Sequence, residues 1–131
     1  MVIHSKMYLL FTFSMVNLLQ GEIMGIEDIS KCIMIVSKNL PLLRDCLDLT
    51  QSEFSRVIGI SRQSLIEFEH GKRKITRPTL ISIIAYFSLR PMTALILYEE
   101  GLYKIDFVKS LGYTDEIVKM MIKAGGDDKN A

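Results

Sequence analysis

TQSEFSRVIGISRQSLIEFEHGKRK, residues 50–74, is the stretch that decides the fold. It opens on Thr50-Gln51-Ser52-Glu53, a capping-box pattern in which the threonine hydroxyl accepts from the third backbone amide and the glutamate reaches back to the cap. The pattern predicts a short helix to Ile58, stopped by Gly59, which tolerates the positive φ of a tight turn. Ser61 then caps a second short helix that ends near His70-Gly71. Helices joined this tightly cross at a steep angle, so one contact between them must be small, and Ser55 supplies it. Phe54 and Ile58 on the first helix are apolar partners for Ile60, Leu65 and Phe68. The outward face of the second helix is then Arg62, Gln63, Ile66 and Glu67, with Ser64 at its edge.

That face has the chemistry of a reader of DNA. Arginine and glutamine bond bidentately to guanine and adenine edges in the major groove, a carboxylate accepts from the cytosine amino group, and an aliphatic group can meet a thymine methyl. Arg62, Gln63, Glu67 and Ile66 are accordingly the candidate base contacts. Lys72, Arg73 and Lys74 follow in a basic loop placed to meet phosphates. Residues 62–77 carry five basic side chains against two carboxylates, although the whole chain has a formal charge of only +1. The competing interpretation is an ordinary solvated helix face followed by a soluble loop.

Residues 49–80, LTQSEFSRVIGISRQSLIEFEHGKRKITRPTL, resemble the Cro/phage-repressor (Xre-type) helix-turn-helix family of transcriptional regulators. The pattern TQ-x-E-[FL]-[SA] is met by residues 50–55, and G-[IV]-S-x-x-x-[IL]-x-x-[FWL]-E-x-G by residues 59–71. A looser likeness extends over residues 29–97. The resemblance implies a five-helix, lambda-repressor-like DNA-binding bundle, all-α, with a short helical C-terminal extension. It places residues 61–69 in the major groove of double-stranded operator DNA, with the protein as a homodimer. It assigns Gln51 and Ser64 to phosphates beside Lys72, Arg73 and Lys74. It also pairs Arg44 with Glu69 as an internal ion pair joining the first helix to the recognition helix. Ser55 stands where alanine is usual, and Asp48 stands where a helix-ending glycine is common.

The function implied is a sequence-specific DNA-binding repressor. The alternative on the same fold is an antitoxin-like or anti-repressor module that binds a small protein through residues 98–124. The apolar surface of residues 92–108, with the last helix, is the candidate dimer face. An enzyme is not expected, because no histidine or carboxylate constellation accompanies Ser55 or Ser61.

Composition agrees with a small globular protein. The chain has 131 residues, 49% hydrophobic and 24% charged. Two lone cysteines, Cys32 and Cys46, and two isolated histidines give neither a disulfide scaffold nor a metal site, so no cofactor and a reducing, cytoplasmic location are expected. Residues 7–19 are strongly apolar but shorter than the ~20 residues of a membrane span. Gln20-Gly21-Glu22 admits the codons CAA-GGA-GAA, a ribosome-binding sequence ahead of a start at Met24. Residues 1–23 would then not be native, and a membrane anchor arises only if they are translated.

Around the central motif, apolar residues recur at helical spacing. Residues 28–47 read as a helix with Ile29, Ile33, Val36, Leu40, Leu43 and Leu47 along one side; Pro41 either kinks it or opens a new helix. Pro78-Thr79 opens a fourth helix and Pro91 a fifth, which completes a domain over residues 24–97. Residues 102–111 are helical, or else extended over residues 102–108. Thr114 caps a last amphipathic helix expected to stop at Ala124, before Gly125-Gly126 and a polar, unstructured tail over residues 125–131. Tyr98, Tyr103 and Tyr113 are read as C-terminal core in preference to a ligand or dimer surface.

Overall fold

A computed structural model describes residues 29–129. The expectations for residues 1–23 and for a start at Met24 fall outside them. Every regular element among the described residues is helical: α1 (Ile29–Cys46), α2 (Gln51–Ile58), α3 (Arg62–Glu69), α4 (Arg77–Ser88), α5 (Pro91–Glu99), α6 (Ile105–Ser110) and α7 (Asp115–Lys129). The chain is thus all-α, and α1 to α5 are the five helices of the expected bundle.

Helix α1 runs through Pro41 as one element, without a new helix opening at the proline. Val36, Leu40 and Leu43 from its apolar side are fully buried. Asn39 is buried beside them, and its amide donates to the Ile35 carbonyl at 2.8 Å, which offsets the cost of enclosing a polar group. After α1 the chain reverses at Asp48, whose φ of 53° is the one positive value at a non-glycine among the described residues. Leu49 N–H reaches back to the Arg44 carbonyl at 3.0 Å, the return bond of a Schellman turn with Asp48 in the left-handed position.

The α2–α3 corner follows from local chemistry. The Glu53 N–H donates to Thr50 Oγ1 at 3.1 Å, and the Thr50 hydroxyl donates to Glu53 Oε1 at 3.0 Å. The glutamate therefore closes the cap on the hydroxyl, where a full capping box would use the backbone amide. Gly59 adopts φ 82° with nothing near the place of a Cβ, so only backbone conformation demands glycine there. Ser55 is buried at the crossing. Phe54 stacks on Phe87 at 5.1 Å between ring centroids and meets Tyr86 edge-on at 5.7 Å, which pins α2 to α4.

Helices α6 and α7 continue the same core. Helix α5 touches α1, α4, α6 and α7, so it lies centrally. Leu97, Leu102, Phe107, Val108 and Met121 are buried in one cluster with Leu40 and Phe87. The apolar residues of 92–108, expected as surplus dimer surface, are thus mostly consumed within the fold; Met92 stays exposed. Tyr103 is buried, with its hydroxyl accepting from Ser88 Oγ at 3.3 Å and donating to the Ala94 carbonyl at 3.2 Å. Tyr113 is half-buried, and its hydroxyl donates to the Ser88 carbonyl. Residues 102–104 form an irregular link before the helical turn α6, which settles the helical-or-extended question for 105–110. Helix α7 does not stop at Ala124. It passes through Gly125-Gly126, whose cost of about 1 kcal/mol each relative to alanine does not end it. No helix of the described residues is long and apolar enough to cross a membrane.

Candidate nucleic-acid interface

Helix α3 is held from behind. Its Leu65 and Phe68 are buried, while Arg62 and Gln63 are exposed and Ile66 and Glu67 half-exposed. The four candidate base contacts therefore share one solvent-facing side. The N-terminus is fixed by Ser61, whose Oγ accepts from Ser64 N–H at 3.0 Å. The C-terminus closes in a Schellman turn: Gly71 takes φ 70°, its N–H bonds to the Phe68 carbonyl at 3.2 Å, and Lys72 N–H bonds to the Glu67 carbonyl at 2.9 Å.

Behind α3, Arg44 reaches from α1 to Glu69. Its Nε donates to Glu69 Oε2 and its Nη2 to Oε1, both at 2.8 Å, in the parallel fork that suits a carboxylate. The side chains are 11% and 4% exposed. The remaining Arg44 Nη1 donates to the Leu49 carbonyl at 2.9 Å, and Gln51 Nε2 adds a contact to Glu69 Oε1 at 3.2 Å. One carboxylate on α3 thus joins α1 and the start of α2, and its partner Arg44 extends the network to the α1–α2 turn. The hydrogen bond to Glu69 raises the Arg44 pKa against the opposing effect of burial, and the charges of Glu69 and Asp45 raise it further. Ser37, seven residues before Arg44, donates its hydroxyl to the Phe68 carbonyl.

In front of α3 the placement divides the candidate residues. Arg62, Lys72 and Lys74 are exposed and make no side-chain bond or ion pair with the described residues. Arg73 folds back. Its Nη1 donates to Ser64 Oγ at 2.9 Å and lies 3.8 Å from Glu67 Oε2, and its guanidinium sits 5.9 Å from the Phe68 ring centroid. Gln63 Nε2 contacts Glu67 Oε1 at 3.4 Å. Of the residues expected at phosphates, Gln51, Ser64 and Arg73 are therefore engaged within the protein, and Lys72 and Lys74 are not. Nothing in residue spacing indicated the Ser37 tether. The return of Arg73 could have been foreseen from Gly71, which turns the chain back along the helix it has just left.

No group of histidine, cysteine, aspartate and glutamate among the described residues could hold a metal ion. Cys32 is buried and Cys46 exposed, both as free thiols.

Residues 42–92 match the model of a helix-turn-helix family. A stretch of 50 residues is 46% identical to Antitoxin PezA of Streptococcus pneumoniae serotype 4 (strain ATCC BAA-334 / TIGR4). That stretch is 38% of this chain and 31% of the antitoxin, so the chain spans about a third of the length of that relative. No solved structure matches. The matched segment takes in the end of α1, all of α2 to α4 and the start of α5.

Proposed function

From the match of residues 42–92 to a helix-turn-helix family model we propose that the protein is a sequence-specific DNA-binding transcription regulator. It acts as a repressor, by occupying an operator, with α3 in the major groove. Arg62 and Gln63 read bases, and Ile66 and Glu67 extend that face. Lys72 and Lys74 hold phosphates. Bound as a homodimer, it recognises two half-sites about 34–36 Å apart, one turn of the duplex.

The observation that supports this most is the contrast between the two sides of α3. One side is locked into the bundle by Leu65, Phe68 and Glu69; the other presents Arg62 and Gln63 to solvent beside exposed lysines. A rigid helix with a polar outward face loses little freedom on docking, which favours specific over adaptable binding.

Selection of bound sequences from a random duplex pool at fixed salt is the test. The wild-type chain is expected to enrich a two-fold-related site. Gln63→Ala is expected to lose base preference at one position of each half-site, at a cost of about 1–3 kcal/mol on that site and little on random DNA. Equal loss on both DNAs contradicts base reading by Gln63, and no enrichment by the wild type removes the proposal.

The likeness to an antitoxin supports a second reading, in which the same fold serves an antitoxin-like partnership with a small protein. Copurification of a stoichiometric small partner from the source cell, lost when residues on α6 or α7 are changed, is the result that favours it.

A further inference from the structure

Three basic side chains follow α3 in sequence, and they are not equivalent in space. The Schellman turn at Gly71 brings the backbone of the loop against the end of α3, with Lys72 and Arg73 N–H both on the Glu67 carbonyl at 2.9 and 3.3 Å. From there the Arg73 side chain returns across the outward face, while Lys72 and Lys74 stay exposed and unpaired with the described residues. The contacts form a series. Ser61 Oγ donates to Ser64 Oγ at 2.8 Å, Arg73 Nη1 donates to Ser64 Oγ at 2.9 Å, Arg73 lies 3.8 Å from Glu67 Oε2, and Gln63 Nε2 reaches Glu67 Oε1 at 3.4 Å.

We infer that Arg73 is a positioning and specificity-determining residue for the base-reading face, where its neighbours Lys72 and Lys74 serve as phosphate contacts. The inference rests on the proposed function and deepens it. Two physical reasons carry it. First, Glu67 presents a carboxylate on the face that must approach a polyanion, and the guanidinium beside it offsets that charge. Second, the Gln63 amide can read a base edge only in a fixed orientation, and its fixed partner is Glu67, which Arg73 holds from the other oxygen. The guanidinium is suited to this because one of its nitrogens, Nη1, sits between Ser64 and Glu67 while the planar group lies by the Phe68 ring, a placement that the compact, strongly hydrated ammonium of lysine does not reproduce.

The experiment uses the full chain and the site enriched by the wild type. Arg73→Ala, Arg73→Lys and Lys72→Ala are each titrated against that site, its single-base-pair variants and random duplex over a salt series. Arg73→Ala and Arg73→Lys are both expected to flatten the preference at the positions sensitive to Gln63→Ala and at the adjacent base pair, by about tenfold. Their dependence of log affinity on log salt keeps the wild-type slope. Lys72→Ala is expected to weaken every DNA alike and to lower that slope by about 0.9, the signature of one lost phosphate contact. If Arg73→Ala instead behaves as Lys72→Ala does, and lysine at 73 restores binding, Arg73 is a phosphate contact and the inference is overturned. A wild type that enriches no site overturns the underlying function, and does so before any variant is compared.

Discussion

At the scale of the residue, the turn after α1 shows an unrelieved cost. Asp48 sits in the left-handed region, φ 53°, with an exposed side chain for which no hydrogen bond is observed. An L-residue with a Cβ pays roughly 1–2 kcal/mol there, which glycine does not. Asp48→Gly is therefore expected to stabilise the fold by about 0.5–1 kcal/mol, since the greater freedom of glycine in the unfolded chain takes back part of the gain. A urea midpoint that rises with an unchanged slope is the supporting outcome; a fall contradicts the strain. This position was legible beforehand, as were Gly59, Ser55 and the caps Thr50 and Ser61, because each meets a local backbone requirement. Asn39 was not. Its burial depends on where α1 lies against the rest of the bundle, and its hydrogen bond to Ile35 is available in any helix.

At the scale of the element, α3 derives its orientation from α1 more than from its own eight residues. The Glu69 carboxylate is almost fully enclosed and depends on Arg44 for most of its hydrogen bonds. Arg44→Met leaves that charge without its partner and is expected to cost about 3–5 kcal/mol, whereas Arg44→Met with Glu69→Leu costs much less, because no charge is then stranded. Urea denaturation of the two variants decides it: equal losses mean that the pair acts through packing alone. The boundaries of α2, α4 and α5 were readable from caps and prolines. Two element features were not. Pro41 is tolerated inside α1, and Gly125-Gly126 is tolerated inside α7. In both cases a local breaker costs a few kcal/mol at most, within what a surrounding fold can override.

At the scale of the whole molecule, the C-terminal helices are built onto the five-helix bundle around Ser88. Tyr103 donates to Ala94 and accepts from Ser88, and Tyr113 donates to the Ser88 carbonyl. Burial pushes both phenols well above the usual tyrosine value, in Tyr103 against a lowering contribution from its Ser88 hydrogen bond and in Tyr113 against one from Arg90. A raised folded-state pKa means that the stability from these groups is complete below pH about 10 and is lost as pH rises beyond it, because only the unfolded chain then releases the protons. The buried Tyr103 steepens the loss by up to about 1.4 kcal/mol per pH unit, and the half-buried Tyr113 by less, because solvent screens it. Tyr103→Phe is expected to lower stability at neutral pH and to make the decline between pH 10 and 11.5 shallower than in the wild type. A parallel decline means that Tyr103 ionises freely in the folded chain. Sequence periodicity placed helices here but could not tell internal from external apolar residues. Phe107 and Val108 proved to be core, because deciding their side requires knowing that α5 is central.

Helix α1 makes two attachments to the far end of α3, Ser37 to the Phe68 carbonyl and Arg44 to Glu69, about two turns apart. Pro41 lies between them and leaves the Ser37 carbonyl without its helical donor. The weakest point of α1 is therefore splinted by the helix it supports, much as a cracked beam is bridged by the plate bolted across it. Support runs in both directions: α3 braces α1 across the bend that proline invites, beside the packing of α1 on α4 and α5, so the two helices stiffen or slacken together.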